Sequence, residues 1–272
     1  MSPTERWQLV GSAPEIYERE MVPAIFAAWA PVLLAHAALR EGERALDVAC
    51  GTGVVARLAA AQVGARGGVV GLDLNAGMLA RARAWAPAQG AVVSWHEGDA
   101  AAMPFDAQTF DAVLCQAGFQ YFTDRRQAAR EMRRVLKPGG RLVAVVWRAL
   151  AHSPGFAALE RALERHVGPA AAAVMRAPFV FGDGADELRG LLREAGFGRV
   201  VVTADVRMAR FASPEALVRH QVTGSPLASH LAQADDAVLD ALVCELAAAM
   251  QPYLNDDGLA FPIEGHIVVA RD

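Results

Sequence analysis

The stretch LDVACGTGVVAR, residues 46–57, constrains the fold more than any other part of the chain. An apolar run ends in two closely spaced glycines, Gly51 and Gly53, and VVARLAAAQV continues from Val54 with a helical pattern. A strand that turns sharply into a helix is the opening of a βαβ unit. The theme recurs downstream. GGVVGLDLN (67–75) reads as strand and turn, and Asn75 is suited to cap the helix AGMLARARAWA. AVVSWHEGDA (91–100) is a third strand, and TFDAVLCQAGFQYF (109–122) a fourth that runs into an aromatic loop. Asp124 caps RRQAAREMRRVL, whose basic end (Arg133, Arg134, Lys137) suits the helix dipole. Pro138, Gly139 and Gly140 stop that helix, and RLVAVVW is the fifth strand. Apolar strands alternating with helices predict a parallel sheet covered on both faces.

Ligands on such sheets bind beyond the carboxyl ends of the strands. That rule gathers Cys50–Gly53, Asp73, Asp99 and the 115–122 loop around one crevice. Further along, helices are expected at about 155–166 and 185–195, a strand at about 199–206, and a last strand in EGHIVVAR (264–271). The span 213–251 reads as helical, with Ser213-Pro214-Glu215 as its start. Helix inserted between two strands of one sheet implies a cap over the crevice. The expected division is 1–42 as N-terminal helices near the site, 43–148 as the binding core, and 149–272 as the remaining strands with a helical cap at about 149–180 and 213–251.

Net charge is −4, which gives no bulk electrostatic case for nucleic acid or an anionic membrane. Lys137 is the only lysine. Cys50, Cys115 and Cys244 lie far apart, without metal-ligand spacing or an even count, so a reducing cytoplasm is expected and a metal site is not. MSPTERWQLV lacks a signal-peptide pattern. The most apolar stretch, residues 24–39, contains Pro31 and His36 and reads as core-facing helix rather than a membrane span.

Two ligands suit the glycine turn. Gly51-x-Gly53-x-x-Ala56, with an acid at Asp73 about 20 residues beyond, satisfies a dinucleotide fingerprint and so keeps a nicotinamide oxidoreductase open. The alternative is S-adenosylmethionine. Asp47-Val48-Ala49-Cys50-Gly51-Thr52-Gly53 resembles motif I of the class I methyltransferases, with Ala49 where the pattern has its first glycine. GDA (98–100), Phe110-Asp111 and Glu131-Met132-x-Arg134-Val135-Leu136-Lys137-Pro138-Gly139-Gly140 resemble the family's later signatures in order, over about residues 44–147. The likeness is to the branch of ubiquinone/menaquinone-type and other small-molecule methyltransferases.

The resemblance implies a Rossmann-like α/β fold: a seven-stranded sheet, mostly parallel with an antiparallel last strand, plus a helical cap. It implies S-adenosyl-L-methionine as cofactor and metal-independent methyl transfer to a small, apolar or aromatic acceptor. Cofactor binding by the same fold without transfer, as in a cyclase or a regulatory binder, stays open. The implied cofactor residues are Tyr17, Asp47, Ala49, Cys50, Gly51, Gly53, Asp73, Leu74, Met78, Gly98, Asp99, Ala100, Cys115 and Gln116. Among them Asp47 would orient the ammonium, Asp73 bind the ribose, and Asp99 accept from the adenine amine. No catalytic base is evident; His152, His220, His230 and Tyr121 are the candidates. The expected partner is a small-molecule acceptor, with no nucleic acid and no membrane insertion, and a homodimer is left open.

Overall fold

The computed structural model describes residue 11 and residues 13–85, 90–231 and 234–272. The expectation made on MSPTERWQLV lies outside the described residues. The sheet contains β1 (Arg44–Val48), β2 (Gly68–Asp73), β3 (Val93–Glu97), β4 (Phe110–Gln116), β5 (Leu136–Trp147), β6 (Arg199–Phe211), a short β7 (Leu254–Asn255) and β8 (Gly258–Arg271). Its order is β3-β2-β1-β4-β5-β8-β6, with β7 attached to β8. The pairs among β1–β5 are parallel, while β8 runs antiparallel to both β5 and β6. This is the mostly parallel sheet with an antiparallel last strand that the sequence implies. The chain order reverses direction across the sheet between β1 and β4, the kind of switch point at which such folds hold ligands.

The covering helices are α1 (Ala30–Ala37), α2 (Val54–Val63), α3 (Ala76–Ala84), α4 (Arg125–Val135), α5 (Pro154–His166), α6 (Pro169–Arg176), α7 (Ala185–Glu194), α8 (Pro214–Gly224), α9 (Leu227–Leu231) and α10 (Asp236–Ala249). Their starts are chemically marked. Asn75, Asp124, Ser213 and Asp235 each accept from the backbone N–H three residues on, which satisfies an otherwise unpaired helix donor. One apolar layer joins the sheet to α4 and α7 through Leu46, Val113, Met132 and Leu188. The other joins it to α1, α2 and the cap helices through Leu114, Val143, Leu33 and Ala59.

Three elements differ from expectation. The strand β5 begins at Leu136, before Pro138-Gly139-Gly140, and absorbs them in a register shift opposite Phe110–Ala112. The strands β6 and β8 are longer than the sequence suggests, and pair from Arg199↔Arg271 out to Phe211↔Leu259. The sheet has eight strands instead of the expected seven, because the short β7 pairs with β8, while the span 213–251 is helical as expected. No single helix among the described residues is long and apolar enough to cross a membrane. The bent pair Ala13–Ala24 and Phe26–Ala37 meets the length and composition test together, but it turns by 50° and buries Trp29, Leu33 and Leu34 in the core.

The turn after β1 is shaped by packing. Gly53 has φ +90°, and a Cβ there would lie 2.3 Å from the Trp95 ring. Gly71 on β2 faces the same ring at 2.5 Å. The register places Asp47, Gly71 and Trp95 side by side on β1, β2 and β3, so the indole occupies the room two missing side chains leave. Gly53→Ala should therefore cost about 1–3 kcal/mol for the backbone alone, with overpacking added. Gly139→Ala (φ +75°, nothing within 4 Å) carries only the backbone cost. Thermal melts should show Gly53→Ala losing clearly more stability than Gly139→Ala.

Candidate functional site

A cavity of about 450 Å³ opens beyond the carboxyl ends of the parallel strands. Its first half is built by four strand ends: Val48–Gly51 after β1, Leu72–Asn75 after β2, Gly98–Ala101 after β3, and Gln116–Gly118 after β4. Residues from each of these segments reach the wall. The backbone at Ala49 (φ +57°) and Gly51 (φ +55°) is left-handed. Ala49 thus carries a strain of roughly 1–2 kcal/mol that glycine would escape. Its methyl also explains Gly118, where a Cβ would come within 2.5 Å of the Ala49 Cβ.

Asp73 ties this half together. Its Oδ2 accepts from the Gly51 N–H at 2.7 Å and its Oδ1 from the Asn75 N–H at 2.8 Å. Burial raises its pKa, and the backbone donors from Asn75, Gly51 and Leu74 oppose that rise. Asp99 is more exposed and accepts from the Ala101 N–H at 2.9 Å. The Gln116 side chain donates its amide to the Phe26 carbonyl at 3.0 Å, and its Oε1 is buried without a hydrogen-bond partner. Tyr17 stands over the turn, its ring 3.9 Å from where a Cβ on Gly51 would lie. Tyr17 belongs to a π-helical turn, Tyr17–Met21.

The second half is apolar. Met21, Phe26, Trp147, Phe156, Met175, Phe179 and Ile263 line it, with Gln221, Gly224 and Ser225 from α8 and the segment after it. Sequence reasoning missed these residues. Each looks like an ordinary core residue until the topology brings α5, α6, α8 and β8 to one place. The Phe26–Trp147 pair (6.2 Å) and the Phe156–Phe179 pair (6.1 Å) give that half an aromatic lining.

Of the residues expected at the site, Tyr17, Ala49, Gly51, Asp73, Leu74, Met78, Gly98, Asp99, Ala100, Gln116 and Tyr121 line the cavity. The others lie behind or away from its wall. Asp47 is 1% exposed and accepts from the Ala56 N–H at 3.0 Å, so its carboxylate serves the start of α2. Cys50 is buried with its sulfur toward Gly71, and Gly53 faces Trp95. Cys115 is fully buried in the sheet, where desolvation pushes its thiol pKa up to about 12. His152 pairs with Asp183 at 3.0 Å, and His220 with Glu20 at 2.9 Å. His230 is exposed on α9. Among the candidate bases only Tyr121 reaches the cavity.

Comparison with known proteins fits this geometry. Residues 45–140 match a methyltransferase domain family. The chain is 43% identical over 113 residues to a 2-phytyl-1,4-naphtoquinone methyltransferase of Thermosynechococcus vestitus; the match covers 42% of this chain and spans about half of that relative, 50% of its length. It is 31% identical over 242 residues to an uncharacterised Mycobacterium tuberculosis protein, covering 87% of this chain and 84% of that one. In structure it resembles a SAM-dependent methyltransferase from Aquifex aeolicus (TM-score 0.51, 21% identity), over 71% of this chain and 93% of that one. The fold is the Rossmann-like fold of class I methyltransferases. The chain belongs to the same family as that Mycobacterium tuberculosis protein, and its residues 45–140 carry a methyltransferase domain. The cofactor that such a domain implies is S-adenosylmethionine.

The residues present fit that cofactor. The charged side chains on the wall are Asp73, Asp99 and Asp124, and no Arg, Lys or His lines it among the described residues. Such a wall suits a ligand bearing ammonium and sulfonium charge and repels a pyrophosphate. The unpartnered Gln116 Oε1 supplies an acceptor in the same half.

Asp47 makes stability depend on pH. Desolvation raises its pKa from 3.8 to about 8, the Ala56 N–H opposing. Between those values the folded chain holds a proton that the unfolded chain has lost, so this contribution falls as pH rises from about 4 to 8. Asp47→Asn should flatten that decline. The measurement is unfolding free energy at pH 5 and pH 8 in both proteins, taken as a difference because His220 and His266 also titrate with depressed pKa values.

Proposed function

We propose that the protein transfers a methyl group from S-adenosylmethionine to a small, apolar or aromatic acceptor by in-line displacement and without a metal. One observation carries this reading. A carboxylate-bearing cradle at four parallel strand ends opens directly into an aromatic and methionine-rich chamber. The likeness to a 2-phytyl-1,4-naphtoquinone methyltransferase over half of that protein's length supports an acceptor of apolar character.

In this reading Asp73 binds the ribose hydroxyls, and Asp99 accepts from the adenine amine. Leu74, Met78, Gly98 and Ala100 flank the base. The backbone at Ala49 and Gly51 approaches the methionine end, with Gln116 Oε1 and Tyr17 beside it. The cofactor supplies an already activated methyl. The chain's own contribution is then alignment and exclusion of water, and positioning of this kind is worth up to roughly 7–11 kcal/mol. Residues 43–148 hold the cofactor, the preceding helices roof it, and the segments at about 149–180 and 213–251 form the acceptor cap. The enzyme works in the cytoplasm on a free small molecule, not on nucleic acid.

A calorimetric and thermal-shift panel tests the cofactor half. S-adenosylmethionine and its demethylated product should bind and raise the melting temperature, whereas NADH and NADPH should not. Asp73→Ala should weaken cofactor binding by about 1.5–3 kcal/mol, the range for hydrogen bonds to charged groups. Asp99→Ala should cost less, because that side chain is more exposed. Unchanged affinity in Asp73→Ala, or stabilisation by NADH instead, would sink the assignment. Incubation with aromatic acceptors should yield products one methyl heavier. Tight cofactor binding without any such product would favour the non-transferring alternative.

A further inference from the structure

The apolar half of the cavity contains a buried amide that the fold barely uses. Gln221 lies on α8, is 5% exposed, and lines the cavity. Among the described residues its side chain has one hydrogen-bond partner, the Met21 sulfur, 3.9 Å from Nε2. A thioether is a weak acceptor. A buried amide without good partners is costly, so this side chain sits in the chamber at a loss to the fold unless a bound molecule pairs with it. Its position is fixed. On the same helix His220 pairs with Glu20 at 2.9 Å, and Leu217 and Val218 are buried.

The nearby polar groups are committed elsewhere. The Ser225 Oγ donates to the Gln221 backbone carbonyl and accepts from the Leu227 N–H at 3.2 Å. The Gln116 amide donates to the Phe26 carbonyl, and its Oε1 belongs to the cradle in the reading above. Charge narrows the ligand further. The carboxylates facing the cavity are Asp73, Asp99 and Asp124, with no cationic side chain on the wall among the described residues, so an anion is repelled. Those carboxylates stand at two strand ends and at the start of α4. The cap segments around Phe156, Met175, Phe179 and Gln221 bring no charged side chain to the wall, so a cation buried against them lacks a counter-charge.

We propose that Gln221 is the specificity-determining residue of the acceptor chamber, and that it pairs with an uncharged carboxamide or lactam group on the methyl acceptor. A primary amide presents a donor and an acceptor side by side, and a carboxamide or lactam offers the complementary pair. The inference rests on the methyltransferase reading and names the polar group that the chamber admits.

The probes are four naphthalenes that differ in one substituent: 2-naphthamide, 2-naphthoate, 2-naphthylmethylammonium and 2-methylnaphthalene. Binding is followed by naphthalene fluorescence, on protein saturated with the demethylated cofactor product. 2-Naphthamide should bind about tenfold more tightly than 2-methylnaphthalene, and more tightly than either charged probe. Gln221→Met keeps a side chain of similar length and removes the amide. It should bring 2-naphthamide down to the level of 2-methylnaphthalene and leave affinity for the cofactor product unchanged. Its melting temperature without probe should equal or exceed that of the parent protein, because replacing a poorly paired buried amide by an apolar group of similar shape is neutral or stabilising. A glutamine kept for structure alone would give the opposite pattern, a lower melting temperature with the probe preference intact. The proposal is overturned if 2-naphthamide binds no more tightly than 2-methylnaphthalene, if a charged probe binds best, if Gln221→Met keeps the preference, or if that variant melts lower. Failure of the cofactor product to bind the parent protein would instead count against the methyltransferase reading itself.

Discussion

The hydrogen bond from the Gly51 amide to Asp73 is the contact on which the rest of the site depends. It joins the turn after β1 to the end of β2 across 22 residues of sequence, at 2.7 Å and in a largely buried setting. The turn has left-handed backbone at Ala49, Gly51 and Gly53, conformations that cost energy or require glycine. A loop in that state persists only if its surroundings hold it. Asp73 holds it from the cavity side, and the Trp95 ring fills the space behind Gly53 and Gly71. Asp47 secures the start of α2 through the Ala56 N–H. The cradle is thus a strained turn pinned at three points, with its open side left to the cavity.

Two buried acids this close carry an electrostatic consequence. The charge of Asp73 adds to the rise in pKa of Asp47 that desolvation begins. Asp73 is itself buried and accepts from the Gly51 and Asn75 backbone amides. With Asp47 holding its proton at neutral pH, the carboxylates that face the cavity are Asp73, Asp99 and Asp124, and no cationic side chain lines its wall among the described residues. A positively charged ligand would complete the balance, and an anionic one would add to the imbalance. This argument distinguishes the sulfonium ligand from a dinucleotide. The glycine spacing by itself could not, since both ligands ask for the same turn and the same acid at Asp73.

That difference marks how far the sequence could be read. Strand and helix order was legible because apolar runs, glycine turns and the caps Asn75, Asp124 and Ser213 all agree at the local level. Asp73, Asp99 and Gly51 were legible because strand ends fix their positions. Asp47, Gly53 and Cys115 carry the same family pattern, yet they face inward. Alternation along β1 turns Asp47 to the side of α2, and the reason for Gly53 is Trp95, some 40 residues away in the chain. No periodicity announces such a contact. The acceptor chamber was unreadable for the same cause. Phe26, Trp147, Phe156, the Met175–Phe179 segment and Ile263 come from five separate stretches, and only tertiary packing makes them one surface.

The chamber and the cradle share a wall, and the sharing has a mechanical meaning. Tyr17 and Met21 both lie in the π-helical turn, which widens the spacing of a helix and brings Tyr17 over Gly51 and Met21 into the chamber. That turn is held on the core side by Glu18 with Arg57 at 2.7 Å and on the cap side by Glu20 with His220 at 2.9 Å. The Gln221 side chain lies 3.9 Å from the Met21 sulfur, and Gly224 packs against Met21 and Ile16. The cradle's roof and the chamber's side are therefore one element. Tyr17 over the turn and Met21 in the chamber are thus positioned by the same two ion pairs, so a change at either pair reaches both halves of the cavity.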